Sequence, residues 1–243
     1  MRTARSAILV ASGLALAPAA SAQAFRSELL GQPTLVRVQA QAANPETVRL
    51  LSGLAKIESD LQLGMLFLMD GLTNPEGSHF THPRAETWPE IKDALLAAGV
   101  ADFEALLQKL EAGGEQEVVV DAYTEVIAAL MHARRTLNPS DKDAILSIVE
   151  QARAVVGEIN AEGPTEVNNY QDAWAMLMVA RSQVDLLMKN KDPAIAKAAG
   201  DMAMAFDDVI LSMPDPSVKA PVDFDPSPII SAVGMLEALA GSV

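Results

Sequence analysis

Cysteine is absent from this chain of 243 residues, and aromatic residues make up only 4% of it. Without cysteine the protein has no disulfide, no thiolate metal ligand and no cysteine nucleophile. Two tryptophans and two tyrosines are too few to line the cleft in which paired carboxylates cleave sugars. The motifs of zinc proteases, serine hydrolases, phosphate-binding loops, calcium loops and attached haem are missing as well. The sequence therefore identifies no reaction and favours a protein without catalytic activity.

Basic residues are scarce, since 18 Lys and Arg stand against 32 Asp and Glu, for a net charge of −14. A surface this acidic repels nucleic acid and anionic lipid, and it attracts cations or basic proteins. We therefore exclude the binding of nucleic acid and of membrane surfaces. The candidate partners that remain are a metal ion and, secondly, an envelope or transport protein.

The first 22 residues have the pattern of a secretory signal peptide. Arg2 and Arg5 give a basic start, residues 7–20 form a short apolar body, and small residues surround Ala22. An A-x-A end of this kind is typical of a cleaved signal. The alternative is an uncleaved N-terminal anchor, for which the apolar body is short. We predict cleavage after Ala22, export to the periplasm and no membrane insertion of the mature chain.

Helix-favouring residues dominate the rest of the chain, and alternating β-branched runs are almost absent, which predicts an all-α fold. Short turns between long helices predict an up-down bundle, and we expect a single domain over residues 23–243. Five prolines between 213 and 228 predict a proline-rich C-terminal strap. The predicted helices cover 45–70, 83–98, 102–112, 115–137, 139–161, 165–190, 193–212 and 227–240.

Five of these helix starts are marked by a proline, which is tolerated in the first helical turn. In most of them the preceding side chain can cap the free N–H groups of that turn. The pairs are Asn44-Pro45, His82-Pro83, Asn138-Pro139, Asp192-Pro193 and Ser227-Pro228. Their unequal spacing indicates shared helix punctuation and not a tandem repeat.

Two of the three histidines lie together in the segment His79-Phe80-Thr81-His82-Pro83-Arg84-Ala85-Glu86. Pro83 places His82 at the N-cap of the predicted second helix, with Glu86 one turn inside it. His79, in the preceding loop, can fold back over both. Two neutral imidazoles and one carboxylate suit zinc, iron or another first-row metal, and they leave positions open for water. The segment therefore predicts a metal site of His79, His82 and Glu86.

A polar stripe on the predicted fourth helix offers further ligands. Asp121, Glu125 and His132 fall on one face of an otherwise apolar helix. Buried polar groups need partners, so we add Glu125 and His132 to the predicted site. Asp60 on the first helix is another candidate ligand, because Gly64 one turn later lets a neighbouring segment approach closely.

A simpler interpretation of the same residues needs no metal. His82 can serve as a helix cap, His79 as a surface loop residue, and the stripe of the fourth helix as a solvated face. The eleven methionines suggest a copper site, because thioethers bind copper(I), but they do not form the dense M-x-x-M runs of copper carriers. Adaptable core packing explains most of them, so zinc or iron is preferred over copper.

Two stretches, His79-x-x-His82-Pro83-x-x-Glu86 and the segment 169–174 (NYQDAW), resemble uncharacterised exported helical proteins of proteobacteria. In that group H-x-x-H-P-x-x-E follows a first helix, and Y-x-D-A opens a later one. The resemblance implies export and an all-helical fold, and it implies a ligand at Asp60, where relatives often carry histidine. The plan is also loosely similar to imelysin-type periplasmic iron-uptake proteins. The chain departs from their G-x-H-x-x-E signature, because Ala85 stands three residues after His82.

These observations lead to three hypotheses about function. The preferred one is a periplasmic metal-binding or metal-handling protein in which His79, His82, Glu86 and His132 meet around one ion. Its binding is expected to weaken as the pH falls through about 6.5, where free imidazole takes up a proton. The alternative is a cofactor-free helical accessory protein of the cell envelope. A metal-dependent enzyme is the third hypothesis, and no substrate-binding motif supports it.

Overall fold

Eight α-helices make up most of the part of the chain that the structure, a computed structural model, describes, namely residues 42–70 and 79–243. The predicted signal peptide lies outside these residues. A π-helical turn, Pro83–Thr87, leads directly into the second α-helix. The helices are α1 (Pro45–Asp70), α2 (Trp88–Ala97), α3 (Glu104–Glu111), α4 (Gln116–Leu137), α5 (Asp141–Glu158), α6 (Val167–Leu187), α7 (Pro193–Ser212) and α8 (Ser227–Ser242).

Within the described residues, β-structure is limited to one antiparallel bridge between Thr165 and Val222. The Thr165 N–H donates to the Val222 carbonyl at 2.7 Å, and the Val222 N–H donates back at 2.8 Å. The predicted all-α fold is therefore confirmed. In the same part of the chain, no helix is long and apolar enough to cross a membrane.

Two of the predicted proline-marked starts have the expected side-chain caps. The Asn44 side chain accepts from the N–H groups of Glu46 at 3.0 Å and Thr47 at 3.3 Å. The Asp192 side chain accepts from the Ala194 N–H at 2.8 Å. These bonds satisfy N–H groups that have no partner inside the helix, so α1 and α7 begin where the sequence predicts.

The Asn138-Pro139 start was predicted two residues too early. Asn138 instead ends α4 in a left-handed conformation, with φ of 44°, and Ser140 caps α5. The Ser140 hydroxyl accepts from the Asp143 N–H, and the Asp143 carboxylate accepts from the Ser140 N–H, which forms a capping box. Asp143 also accepts from the Asn44 N–H at 2.7 Å, so the starts of α1 and α5 are joined.

The helices pack around two apolar cores, one formed by α1–α4 and the other by α5–α8. Helix α1 connects them, because it packs against α4 as well as against α5 and α6. Leu63 and Phe67 of α1 and Ala175 of α6 form a small third cluster at this junction. Side chains on this face of α1 therefore lie where the two helical groups meet.

The proline-rich segment between α7 and α8 contacts the start of α6. The Tyr170 hydroxyl donates to the Pro214 carbonyl at 2.5 Å, and the Gln171 side chain donates to the Pro216 carbonyl at 2.9 Å. Both donor residues are buried, so these bonds give partners to polar groups inside the protein. They fix the N-terminal part of α6, which also carries Asp172.

Candidate metal site

Helix α1 places Asp60 in the interior of the protein. The residue is 7% exposed, between the fully buried Ile57 and Leu61 of the same helix. Its Oδ2 atom has no hydrogen-bond partner among the described residues. Burial raises the pKa of the Asp60 carboxyl, and the neighbouring His82 opposes that shift. A buried carboxylate with a free oxygen is unfavourable unless a proton or a cation accompanies it.

Residues 79–82 run along one face of α1. Asp60, Gly64 and Phe67 fall on this face at steps of four and three. Phe67 stacks on the His79 ring, with centroids 5.5 Å apart and planes at 11°. At Gly64 an added Cβ atom would lie 2.5 Å from Cε1 of Phe80, so only glycine admits that ring. Gly64 therefore allows a close approach, as expected from the sequence, and the side chain that approaches is that of Phe80.

Replacing Gly64 with alanine is expected to displace Phe80 and with it the two histidines. Overpacking of this kind typically destabilises by about 1–3 kcal/mol. The matched control is Gly200→Ala in α7, where an added Cβ atom meets nothing within 4 Å. That change is expected to stabilise by about 0.5–1 kcal/mol, because alanine favours helix over glycine. Urea unfolding measures both, and equal stabilities would contradict this packing.

His79 is the most deeply buried of the three histidines, with 4% of the residue exposed. Neither ring nitrogen has a hydrogen-bond partner within residues 42–70 and 79–243. Its ring meets that of His82 edge-on, with centroids 5.2 Å apart. Burial, assisted by the charge of His82, lowers the pKa of His79 to about 4. The imidazole is therefore neutral near pH 7, which is the form that binds metals.

His82 does not cap a helix, in contrast to the interpretation from the sequence. Its backbone is already helical, with φ of −60° and ψ of −44°, and its side chain makes no cap hydrogen bond. The ring turns instead toward Asp60, with Nδ1 3.8 Å from Oδ1. That distance is too long for a hydrogen bond, but the facing carboxylate raises the pKa of His82. The π-helical turn starts at the next residue, and such turns are frequent at functional sites.

Asp60, His79 and His82 offer ligand atoms that all lie within 4.8 Å of one another. In the described part of the chain, no other set of three or more His, Asp or Glu side chains is gathered this closely. Two imidazoles and one carboxylate form the ligand set of catalytic zinc sites and of non-haem iron(II) sites. Both kinds of site keep coordination positions for water or for another ligand.

Glu86 does not belong to this group. Its side chain is 57% exposed, and its carboxylate lies 4.0 Å from the Lys56 ammonium. The π-helical turn after His82 directs Glu86 to the rim of a neighbouring cavity, which both residues line. Glu86 still favours the protonated form of His82 through its charge.

Glu125 and His132 are not brought into the group either. Both are exposed on α4, together with Asp121. Glu125 forms an ion pair with Lys109 at 2.8 Å. The opposite face of α4 is buried, and this turns the polar stripe toward solvent. The buried residues are Val119, Ala122, Val126, Leu130 and Ala133. The polar stripe of α4 is therefore a solvated face, as in the alternative interpretation of the sequence.

A cavity of about 300 Å³ adjoins the group and reaches across to α5 and α6. Asp60 and His82 form one wall, and Glu158 and Asp172 line it from the other helices. Burial, together with the charges of Asp60 and Glu158, raises the pKa of Asp172 to about 7. The sequence pattern alone indicates no role for Asp172. The signal available was its place in the NYQDAW stretch, which the structure brings to the same cavity as His82.

The chain was compared with protein-family models, with curated proteins and with solved structures, and none of them matches it. The resemblance to exported proteobacterial proteins therefore stays a prediction. The features of the structure that bear on function are the group formed by Asp60, His79 and His82 and the adjoining cavity.

Proposed function

We propose that the protein binds a divalent metal ion through Asp60, His79 and His82 and serves as a metal-handling protein of the periplasm. The observation that carries the proposal is His79, which is 4% exposed and has no described partner for either ring nitrogen. An unsatisfied polar group in a protein interior costs about 1–3 kcal/mol. Leucine or phenylalanine would fill the same space beside Phe67 without that cost.

A metal ion would satisfy the polar atoms that the protein leaves without partners. One nitrogen of His79 and the free Oδ2 of Asp60 would both become ligands, and His82 would supply the third. Its positive charge would also balance the buried carboxylate, which burial alone disfavours. The three ligands come from two segments that Gly64 and Phe80 lock together, so little further ordering is needed on binding.

Zinc and iron(II) suit this ligand set better than copper(I). Imidazole and carboxylate are the usual ligands of zinc and of non-haem iron, whereas copper(I) prefers sulfur. Nothing in the site identifies a reaction, so we assign no enzymatic activity. The second candidate, a cofactor-free accessory protein of the envelope, is what would remain if no ion binds.

Calorimetry with Zn²⁺, and with Fe²⁺ under anaerobic conditions, tests the proposal on chelator-treated protein. Asp60→Asn, His79→Ala and His82→Ala are each expected to weaken binding by about 100-fold or more, because even outer partners of ligands change affinity by about 10- to 100-fold. His132→Ala is the matched control, since it removes an exposed histidine outside the group and is expected to bind as wild type. Equal binding by all variants, or none by wild type, would reject the site.

Binding is expected to weaken on acidification, starting above pH 6.5. His82 is the group that competes, because the Asp60 carboxylate raises its pKa and the ring holds its proton at higher pH. His79, with a pKa of about 4, competes only in much stronger acid. A proton must leave His82 before the metal binds, so affinity falls by up to about tenfold per pH unit below that pKa. Zinc titrations between pH 8 and pH 5 measure this slope, and a flat profile would exclude His82 as a ligand.

A further inference from the structure

The cavity beside the three-residue group carries more negative charge than one metal site uses. Glu86, Glu158 and Asp172 line it in addition to Asp60. The cationic groups that line it are Lys56 and, when protonated, His82. Lys56 is partly engaged by Glu86, whose carboxylate is 4.0 Å away. Four carboxylates around one partly open cavity repel one another unless cations or protons compensate them.

Asp60 connects the cavity with the histidine group. The residue is 7% exposed, lines the cavity, and keeps an oxygen without a described hydrogen-bond partner. A buried unpartnered carboxylate oxygen beside three further carboxylates is a position for a positive charge. Burial, and after it the charges of Asp60 and Glu158, raise the pKa of Asp172 to about 7, and a nearby cation would oppose that shift.

The dimensions of the cavity decide which cation fits. Its volume is about 300 Å³, whereas one water molecule takes about 30 Å³ of liquid, so an ion with its hydration shell can be accommodated. In the described residues no three of these four carboxylates offer oxygen atoms within 4.8 Å of one another, so they do not form a direct coordination shell by themselves. They would therefore contact the ion through its waters. Hard cations that dehydrate reluctantly, such as Mg²⁺ or Mn²⁺, bind in this way.

We propose that the cavity holds a second, hydrated divalent cation, beside the histidine site and sharing Asp60 with it. Asp172 and Glu158 hold the ion from α6 and α5 through its water molecules, and Glu86 closes the exposed rim. The sharing of Asp60 rests on the proposed metal site, whereas the cation in the cavity does not require the histidines. The cavity also raises the local concentration of cations next to His82, from which an ion can exchange its waters for imidazole.

Mn²⁺ is the probe for this second site, because its paramagnetism reports on bound water through the relaxation of water protons. The double variant Asp172→Asn, Glu158→Gln is expected to weaken Mn²⁺ binding by about tenfold or more, while Zn²⁺ binding at the histidine site persists. Asp121→Asn, Glu125→Gln is the matched control, since it removes the same two charges from the exposed face of α4. The control is expected to bind Mn²⁺ as wild type does.

His79→Ala separates the two proposals. It is expected to lose Zn²⁺ binding and to keep Mn²⁺ binding with enhanced water-proton relaxation. Should wild type bind Mn²⁺ but no Zn²⁺, the histidine site fails and the cavity site stands. The cavity proposal is overturned if wild type binds no Mn²⁺, or if the Asp172, Glu158 variant binds Mn²⁺ as the control does. Glu158→Gln alone, at a partly exposed position, repeats the test should the double variant not fold.

Discussion

Replacing His79 with leucine is expected to stabilise the metal-free protein and to abolish its stabilisation by metal. The wild-type residue is 4% exposed, and both ring nitrogens lack hydrogen-bond partners among the described residues. Leucine has no polar atom to desolvate and can pack on Phe67, so we expect a gain of about 1–3 kcal/mol. If His79 served only for packing, its replacement by leucine would give no such gain in stability, because the imidazole would already pack favourably.

The pH dependence of the His79→Leu variant has a defined sign. The folded-state pKa of His79 is about 4, against an ordinary value of 6.5. As the pH falls below 6.5, His79 takes up a proton in the unfolded chain but stays neutral in the folded protein until about pH 4. The wild-type protein therefore loses stability between about pH 6.5 and pH 4. The variant has no imidazole at this position and does not lose stability in this way. Its greater stability relative to wild type is therefore expected to grow with acidification over that range.

Metal is expected to offset or reverse the stability difference between wild type and His79→Leu. A ligand at 100 times its dissociation constant stabilises the folded state by about 2.7 kcal/mol, provided that it does not bind the unfolded chain. Wild type is expected to gain this stabilisation with Zn²⁺, whereas the leucine variant is expected to gain none. Urea unfolding with and without Zn²⁺ measures both effects, with His132→Leu as the exposed control. A variant that is less stable than wild type without metal would show that His79 has a structural partner.

The helices could be predicted from the sequence because their signals are local. Asn44 and Asp192 cap α1 and α7 through bonds to N–H groups two or three residues away, and residue spacing alone indicates them. The start of α5 was misplaced because two capping residues compete within three positions. Ser140 forms the capping box with Asp143, whereas Asn138 adopts the left-handed conformation that ends α4.

The ligand group could be predicted only in part, because it depends on which helix faces meet. His79 and His82 are close in sequence, and Asp60 was found through the glycine that follows it by one turn. Glu125 and His132 share a helix face, but periodicity does not reveal whether a polar face is buried or solvated. Only the packing of α4 against α1 and α3 shows that this face is exposed.

Asp172 could not be assigned from the sequence, since it lies 112 positions after Asp60 and reaches the cavity by the packing of α6 on α1. Its neighbours Tyr170 and Gln171 anchor the proline-rich segment through their side chains. The NYQDAW stretch thus combines two roles. Tyr170 and Gln171 hold the segment after α7, and Asp172 lines the cavity.

Replacing Asp172 with asparagine is expected to stabilise the metal-free protein at pH 8. Burial and the charges of Asp60 and Glu158 raise the pKa of Asp172 to about 7, from an ordinary value of 3.8. His82 and Lys56 act in the opposite direction and do not cancel the shift. The folded protein therefore holds a proton that the unfolded chain has released, and its stability falls as the pH rises from 3.8 to 7.

The size of this effect follows from the shift in pKa. One pKa unit corresponds to about 1.4 kcal/mol, so removing the charge is expected to raise the free energy of unfolding by about 1–4 kcal/mol at pH 8. The upper figure applies only if water in the cavity does not screen the charge. At pH 3 the carboxyl is protonated in both states, and the variant and wild type are expected to be about equally stable. Urea unfolding at pH 8 and pH 3 measures the difference, with the exposed Asp121→Asn as the control, for which a change within about 0.5 kcal/mol is expected.

Divalent cations are expected to remove the advantage of Asp172→Asn. A cation in the cavity stabilises the ionised carboxylate of wild type, whereas asparagine offers it a weaker, neutral oxygen. With saturating Mg²⁺ at pH 8 wild type should therefore gain more than the variant, and the gap between their unfolding midpoints should narrow or reverse. An asparagine variant less stable than wild type at pH 8 without added cation would mean that Asp172 is held by a favourable partner. Burial and the charges of Asp60 and Glu158 would then not govern the protonation of Asp172.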